Sequence, residues 1–327
     1  MKKLLSGTIL LTFVLFLWGA LVRSTGSGLA CPDWPLCHGQ FIPPMELPIF
    51  LEWGHRIIAT IVGAGALSIL LVAFRKRYRK ELGAIAILSF VLLLIQAGLG
   101  GAAIFTALAP YVVSIHLGVG TLFLTTLLWM RLRLVGNGVP KLLRIFSQGT
   151  SEGGASMPYE IKAPTETEAV RSVTASSRSP RENAKTVWFI GATLLVYLQL
   201  ILGGFVASSH AGLACPDFPK CFGEWIPPLE GAVALHFWHR IMAYVIFIMV
   251  TLTVILTLQK KPTKKGRILL FLIFGSMMLQ VLLGIINVLF ALPMSVRVSH
   301  LGMGTILYAL LFITAYEAQR VRLFESH

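Results

Sequence analysis

The sequence GLACPD at residues 28–33 returns unchanged at residues 212–217, and this repeat decides how the chain folds. Two further segments recur at the same offset of 184 residues: WGHRI at 53–57 as FWHRI at 237–241, and SIHLG at 114–118 as VSHLG at 298–302. A single register across such different segments indicates an internal duplication. The chain is therefore expected to consist of two similar halves.

Long apolar stretches surround the repeated segments. Of the 327 residues, 56% are hydrophobic and only 13% are charged, which is too few charges to cover a soluble protein of this size. A helix needs about 20 apolar residues to cross a hydrocarbon layer, and eight stretches approach or exceed that length: 4–22, 53–74, 82–108, 111–130, 186–207, 235–258, 268–290 and 295–316. We predict an all-α polytopic membrane protein, with eight transmembrane helices in two pseudo-symmetric four-helix bundles.

The basic residues, which give a formal charge of +14, lie in short clusters on one side of the predicted spans. This is the positive-inside pattern and not that of a nucleic-acid-binding surface. It predicts a bacterial-type plasma membrane protein with both termini on the cytoplasmic side. The connections 23–50 and 208–233 are then on the outer side of the membrane. The first apolar stretch follows Lys2 and Lys3 as a signal peptide would. It is long and has no clear small-residue cleavage site, so we predict a retained helix.

The predicted domains are an N-terminal half at 1–133, a cytoplasmic linker at 134–185 and a C-terminal half at 186–327. Residues 147–185 are rich in Ser, Thr, Ala, Glu and Pro and poor in large apolar side chains. Such a segment cannot bury enough surface to offset the entropy of ordering. We therefore predict a flexible linker, with a docking segment for a partner as the alternative.

Four histidines in alternate spans are the candidate site residues: His55, His116, His239 and His300. An ionisable side chain at membrane depth is costly and marks a functional site by default. One histidine alone could be a hydrogen-bonded packing residue, but two pairs related by the repeat favour ligands. Zinc or copper normally needs three or four protein ligands, whereas the iron of a heme needs only two imidazoles. We predict a bis-histidine heme site in each half.

Arg56 and Arg240 directly follow a candidate ligand, and a guanidinium fork matches the carboxylate of a heme propionate. Arg23, near the end of the first span, is a further candidate. The alternative is that these arginines reach lipid headgroups. Glycines near the histidines also have two interpretations, close approach of a macrocycle or close packing of helices: Gly54, Gly118, Gly120, Gly302 and Gly304.

The repeat breaks at Glu52, which shares a helix face with His55 and is replaced by His236 in the second half. A carboxylate beside one heme can move protons or stabilise a cationic intermediate. The two pockets are therefore expected to do different jobs. The alternative is that Glu52 is an ordinary residue at the start of a helix.

All four cysteines lie in the two outward connections, Cys31 with Cys37 and Cys215 with Cys221. Because the outer compartment is oxidising, we expect one disulfide within each loop. The sequence leaves pairing between the loops open. It also leaves open a redox-active pair that exchanges with a thiol protein, as the alternative to a structural disulfide.

The glutamate three residues before His55, the order of the histidines, the paired cysteines and the two four-helix halves together resemble heme A synthase. The resemblance covers nearly the whole chain apart from the linker. It implies an enzyme that oxidises the ring-D methyl group of heme O to a formyl group. It also implies that His55 and His116 flank the substrate heme beside a catalytic Glu52, while His239 and His300 ligate a resident heme b. Heme O synthase and an electron donor are the implied partners, and the sequence leaves a homo-oligomer open.

Three other functions compete with this one. A b-type cytochrome would use the same histidines only to transfer electrons, and a membrane thiol oxidoreductase would work through the cysteines. A heme transporter or chaperone would release its heme unmodified. A di-iron oxidase is disfavoured because that chemistry needs several intramembrane carboxylates, and Glu52 has hardly any companions.

Overall fold

The computed structural model of the protein describes residues 1–135 and 180–320. Within these ranges, eight helices are long and apolar enough to cross a membrane. They are α1 (Lys2–Ser24), α2 (Leu47–Ala73), α3 (Arg79–Phe105), α4 (Pro110–Val135), α5 (Pro180–Ser208), α6 (Gly231–Leu258), α7 (Lys264–Leu289) and α8 (Met294–Arg320). The prediction of an all-α integral membrane protein is confirmed. Most of the predicted linker lies outside the described residues.

The helices begin earlier than hydropathy suggested, and for α2 and α6 the difference bears on the candidate site. Helix α2 begins at Leu47, with Pro48 in its first turn, where a missing backbone N–H breaks no helical hydrogen bond. Helix α6 begins at Gly231. As a result, Glu52 lies more than one turn inside α2, and it is only 7% exposed. The alternative that Glu52 merely starts a helix is therefore wrong.

Helices α1–α4 form one bundle and α5–α8 form a second, and each has its own buried core. Within each bundle, every helix contacts the next, and the first contacts the last. The largest fully buried side chains include Leu5, Ile69, Leu82, Leu127 and Met130 in the N-terminal bundle and Phe189, Val250, Leu270, Ile273 and Leu311 in the C-terminal bundle. The two-fold relation between the bundles stays a prediction, although the contacts described below recur at positions 184 residues apart.

The bundles meet mainly along two junctions, α1 with α8 and α4 with α5, and α4 also contacts α8, where Thr125 Oγ1 lies 2.7 Å from the Tyr308 hydroxyl. Glycines permit the close approach: a Cβ atom added at Gly302 would lie 2.7 Å from Leu17, and one added at Gly118 would lie 3.1 Å from Ile201. Gly54, Gly120 and Gly304 likewise have side chains of neighbouring helices as their nearest contacts. For the glycines singled out from the sequence, the structure therefore favours the helix-packing interpretation.

Candidate functional site

The loops that connect α1 to α2 and α5 to α6 are each closed by a disulfide, Cys31–Cys37 in the first and Cys215–Cys221 in the second. The prediction of one disulfide within each loop is confirmed. All four cysteines are at most 3% exposed. Thiol exchange requires access of a thiolate to a sulfur atom, so this burial favours the structural interpretation over the redox-active one.

An aspartate organises each loop. The Asp33 carboxylate accepts hydrogen bonds from the backbone N–H groups of Gly39 at 2.8 Å and His38 at 2.6 Å. These bonds favour the charged carboxylate and hold the pKa of Asp33 below the ordinary value of 3.8, and the bond from Gly39 has the largest effect. In the second loop, the Asp217 carboxylate accepts matching hydrogen bonds from the backbone N–H groups of Gly223 and Phe222. They lower the pKa of Asp217, and the bond from Gly223 has the largest effect.

Arg56 fastens the first loop to α2. Its Nη1 atom donates to the carbonyl oxygens of Asp33, at 2.7 Å, and Leu36. Its Nη2 atom donates to the carbonyl oxygen of Cys31 at 3.0 Å, and its Nε atom donates to Glu52 Oε1 at 3.2 Å. Four of the five N–H donors of the guanidinium group are thus used within the protein.

Arg240 makes the corresponding contacts in the second half. It donates to the carbonyl oxygen of Cys215 at 2.7 Å and to two further loop carbonyls at 2.8 and 2.9 Å. Its Nε atom lies 3.2 Å from Nε2 of His236. Each of these two arginines therefore has only one N–H group left for the predicted contact with a heme propionate. Sequence reasoning missed their main contacts, which are to the loops.

The structure brings together the two histidine pairs that the sequence indicated. The imidazoles of His55 and His116 are near enough to interact electrostatically, and so are those of His239 and His300. In all four, the Nδ1 atom is buried and has no hydrogen-bond partner within the described part of the chain. A buried, unpaired ring nitrogen is unfavourable unless a ligand compensates for it.

A glycine on a neighbouring helix lies against each of these imidazole rings. The distances from an added Cβ atom to the ring Cε1 atom are 3.1 Å for Gly19 and His55, 3.6 Å for Gly100 and His116, 3.0 Å for Gly203 and His239, and 3.2 Å for Gly284 and His300. Three of these distances are shorter than nearly all real Cβ contacts, so a side chain there would displace the ring. Sequence reasoning missed these glycines, although they recur at the offset of 184.

Glu52 and His236 occupy matching positions in the repeat but have different partners. Glu52 offers a buried carboxylate that is paired with Arg56. His236 is 5% exposed, and its Nδ1 atom lies 3.3 Å from the backbone nitrogen of Cys215. At this position the structure therefore gives a carboxylate to the N-terminal bundle and an imidazole to the C-terminal bundle.

Gln199 and Gln280 flank the second histidine pair. Their Nε2 atoms lie 3.5 and 3.3 Å from the Nε2 atoms of His239 and His300, respectively. A polar group on one ring nitrogen fixes the orientation of an imidazole whose other nitrogen, here Nδ1, has no partner among the described residues. Sequence reasoning missed both. The repeat could have found Gln280, which matches Gln96, whereas Gln199 has no glutamine at its matching position.

The chain matches known proteins over most of its length. Residues 2–312 match the family described as "Cytochrome oxidase assembly protein". A relative named heme A synthase from Symbiobacterium thermophilum is 30% identical over 236 residues, covering 72% of this chain and 68% of the relative. Heme A synthases from Bacillus cereus (29% over 312 residues, 91% and 86% covered) and Halalkalibacterium halodurans (26% over 250 residues, 76% and 72% covered) are also similar. Because the family match runs across nearly the whole chain and the Symbiobacterium thermophilum heme A synthase is 30% identical over 72% of it, this protein belongs to the heme A synthase family.

Proposed function

We propose that the protein is a heme A synthase that oxidises the ring-D methyl group of heme O to a formyl group, giving heme A. The observation that carries the proposal is the pair of buried imidazole sites, of which only the first has a carboxylate, Glu52, at the matching position. Membership of an enzyme family with oxidoreductase activity and the names of the relatives support the same reaction.

The residues fit a heme better than a bare metal ion. Zinc or copper would require at least three protein ligands. Among residues 1–135 and 180–320, no group of three or more His, Cys, Asp or Glu side chains is arranged to hold a metal ion. Two imidazoles suffice for heme iron, because the porphyrin supplies four nitrogens. We assign the substrate heme O to His55 and His116, and a resident heme b to His239 and His300.

The proposed reaction removes four electrons from a methyl carbon. If the added oxygen atom comes from water, R–CH₃ and H₂O yield R–CHO, four protons and four electrons, and an external electron acceptor must take up the electrons. If it comes from O₂, then R–CH₃, two O₂, four protons and four electrons yield R–CHO and three H₂O, and an electron donor must supply the electrons. We assign Glu52 as the catalytic carboxylate that accepts protons, because it is buried and shares a helix face with His55. Arg56 orients this carboxylate through the 3.2 Å ion pair, and the resident heme b, when bound, relays electrons.

The membrane setting follows from the charges. Basic residues cluster between the end of α2 and the first turn of α3, at 75–80, and around the start of α7, at 260–267. We therefore propose that this side is the cytoplasmic face of a bacterial-type plasma membrane and that the cysteine loops face outward. The one free N–H of Arg56 and of Arg240 is proposed to contact a propionate. Heme O synthase and an electron donor, which the O₂ route requires, are the proposed partners.

The decisive experiment is a mass spectrum of the porphyrins extracted from the purified protein. The protein is produced in cells that make heme O but have no other source of heme A. We expect heme b together with heme O or heme A, and accumulation of heme A in the cells. Heme b alone would identify an electron-transferring cytochrome instead, and unmodified heme O without any heme A would identify a carrier.

A further inference from the structure

Two arginines meet at the α1–α8 junction between the bundles. Arg23 lies in the last turn of α1 and Arg297 in the first turn of α8. Their charges are close enough to repel each other, and Arg297 Nη2 donates to the carbonyl oxygen of Ser24 at 3.1 Å. Neither side chain forms an ion pair with another described residue, and Arg297 Nε is buried without a partner among them. Two adjacent cations at such a place call for an anion.

Each arginine lies on the helix face that is next to a different histidine pair. Arg23 lies one turn beyond Gly19, whose side-chain direction meets the ring of His55, so Arg23 and Gly19 share a helix face. Arg297 precedes His300 by three residues and shares its face of α8. The two guanidinium groups therefore lie toward the loop end of the two candidate heme sites, between one site and the other.

The other junction between the bundles has no such pair. The repeat matches Arg23 with Ala207 in α5, and Arg297 with Val113 in α4. The α4–α5 junction is instead closely packed, since a Cβ atom added at Gly204 would lie 2.9 Å from a leucine side chain. Joining the bundles therefore does not itself require two arginines, and their presence on one side only indicates a ligand.

We propose that Arg23 and Arg297 bind heme propionates, Arg23 that of the heme held by His55 and His116, and Arg297 that of the heme held by His239 and His300. This inference rests on the proposed function, because it requires a heme in each bundle. A guanidinium group can offer two parallel N–H donors to a carboxylate. Arg56 and Arg240 cannot, because four of their five donors are already used. The carboxylates of both hemes would then meet at one charged junction that links the two sites.

The test compares protoheme with protoheme dimethyl ester, in which both propionates are neutral. The full-length protein is produced without heme, placed in lipid nanodiscs and titrated with each porphyrin while the Soret absorption is recorded. The variant His239→Ala/His300→Ala confines binding to the first site, and His55→Ala/His116→Ala confines it to the second. We expect the free acid to bind at least about tenfold more tightly than the ester at each site, which corresponds to about 1.4 kcal/mol.

The arginine variants locate this preference. Arg23→Gln is expected to reduce it severalfold at the first site only, and Arg297→Gln at the second site only, because Arg56 and Arg240 each keep one N–H for a propionate. Arg23→Lys and Arg297→Lys keep the charge and are expected to retain more of the preference than the glutamine variants, which separates the loss of a cation from a packing defect. The control is Arg79→Gln, at an exposed arginine in the first turn of α3, which should change neither site.

The outcomes separate this inference from the proposed function. If the wild type binds acid and ester equally, or if the glutamine variants keep the wild-type preference, the propionate assignment is wrong while the heme sites stand. If the wild type takes up neither porphyrin, the proposed function itself fails, and the inference fails with it. The thermal unfolding midpoint of each variant shows whether it is folded. If a glutamine variant is not folded, the lysine variant at the same position is used in its place.

Discussion

The Glu52 carboxylate lies 3.2 Å from the Nε atom of Arg56, one turn further along α2. The same guanidinium group donates to three carbonyl oxygens of the first disulfide loop. One side chain thus connects the proposed catalytic carboxylate, the loop and the helix that carries His55. A substitution at Glu52 must therefore be chosen to keep the contact with Arg56 while it removes the acid–base chemistry.

The variant Glu52→Gln meets that requirement, because an amide oxygen can still accept from Arg56 but cannot take up a proton at neutral pH. We expect formation of heme A to fall by about 10²–10⁴-fold, the range for loss of a general acid–base group. The heme b spectrum and the unfolding midpoint should stay at wild-type values. Extracted porphyrins are quantified by liquid chromatography. The control is Glu46→Gln, at an exposed glutamate before α2; wild-type turnover of Glu52→Gln would remove the catalytic assignment.

Loss of either residue of the second histidine pair should remove the resident heme. His239→Ala and His300→Ala are expected to lose the low-spin heme b spectrum, because one of the two imidazoles that would hold the heme is missing. His55→Ala and His116→Ala should keep that spectrum and lose activity. Visible absorption and electron paramagnetic resonance measure the difference. As a control we choose His210→Asn, since His210 is exposed with φ of 54° and Asn tolerates this conformation. An unchanged spectrum in both His239→Ala and His300→Ala would contradict the assignment.

A methyl group added at Gly284 should disturb the heme through His300. The new Cβ atom would lie 3.2 Å from His300 Cε1, so the ring must move, and we expect a shifted low-spin signal and weaker heme retention. Gly275→Ala in the same helix is the matched control, because an added Cβ there has nothing within 4 Å. The control should leave the spectrum unchanged and stabilise the protein by up to about 1 kcal/mol through helix propensity. Identical spectra for the two variants would show that this contact does not orient the ligand.

The loop aspartates predict an acid-sensitive contribution to stability. The pKa of Asp33 is held below its ordinary value of 3.8 in the folded protein, chiefly by the N–H group of Gly39. Its stabilising contribution is therefore fully present above pH 3.8 and is lost as the pH falls through the lower folded pKa. We expect Asp33→Asn to lower the unfolding midpoint at pH 6, with the difference from wild type shrinking below pH 3.8. A Gln40→Ala control, at an exposed residue of the same loop, should differ from wild type by an amount that does not change with pH. A constant difference for Asp33→Asn would overturn the argument.

The fold could be predicted from the sequence because its signals are local. A span needs only a run of apolar residues, and the pairing of Cys31 with Cys37 needs only two cysteines close together in an outward loop. The start of α2 was missed because Pro48, together with Pro43 and Pro44 shortly before it, resembles a loop, although proline is accepted in a first helical turn. The proximity of His55 to His116 and of His239 to His300 could be anticipated because a duplicated register identifies positions and not merely composition; their role as ligands stays a prediction.

The loop contacts of Arg56 and Arg240 could not have been predicted in the same way. Their partners are backbone carbonyl oxygens 20 to 25 residues earlier in the chain. Every residue type carries such an oxygen, so the sequence contains no sign of the contact. Arg297 was missed for a different reason, since it has no counterpart in the first half. A search restricted to repeated residues overlooks the side chains in which the two halves differ.

In both Arg56 and Arg240, different nitrogen atoms of the guanidinium group contact the loop and the neighbouring residue on the helix. The Nη atoms of each arginine hold the loop, whereas only the Nε atom touches the variable neighbour, Glu52 in one half and His236 in the other. Anchorage of the loop is therefore independent of which residue occupies that position. A substitution at that position can therefore change the proton chemistry beside the histidines without releasing the loop.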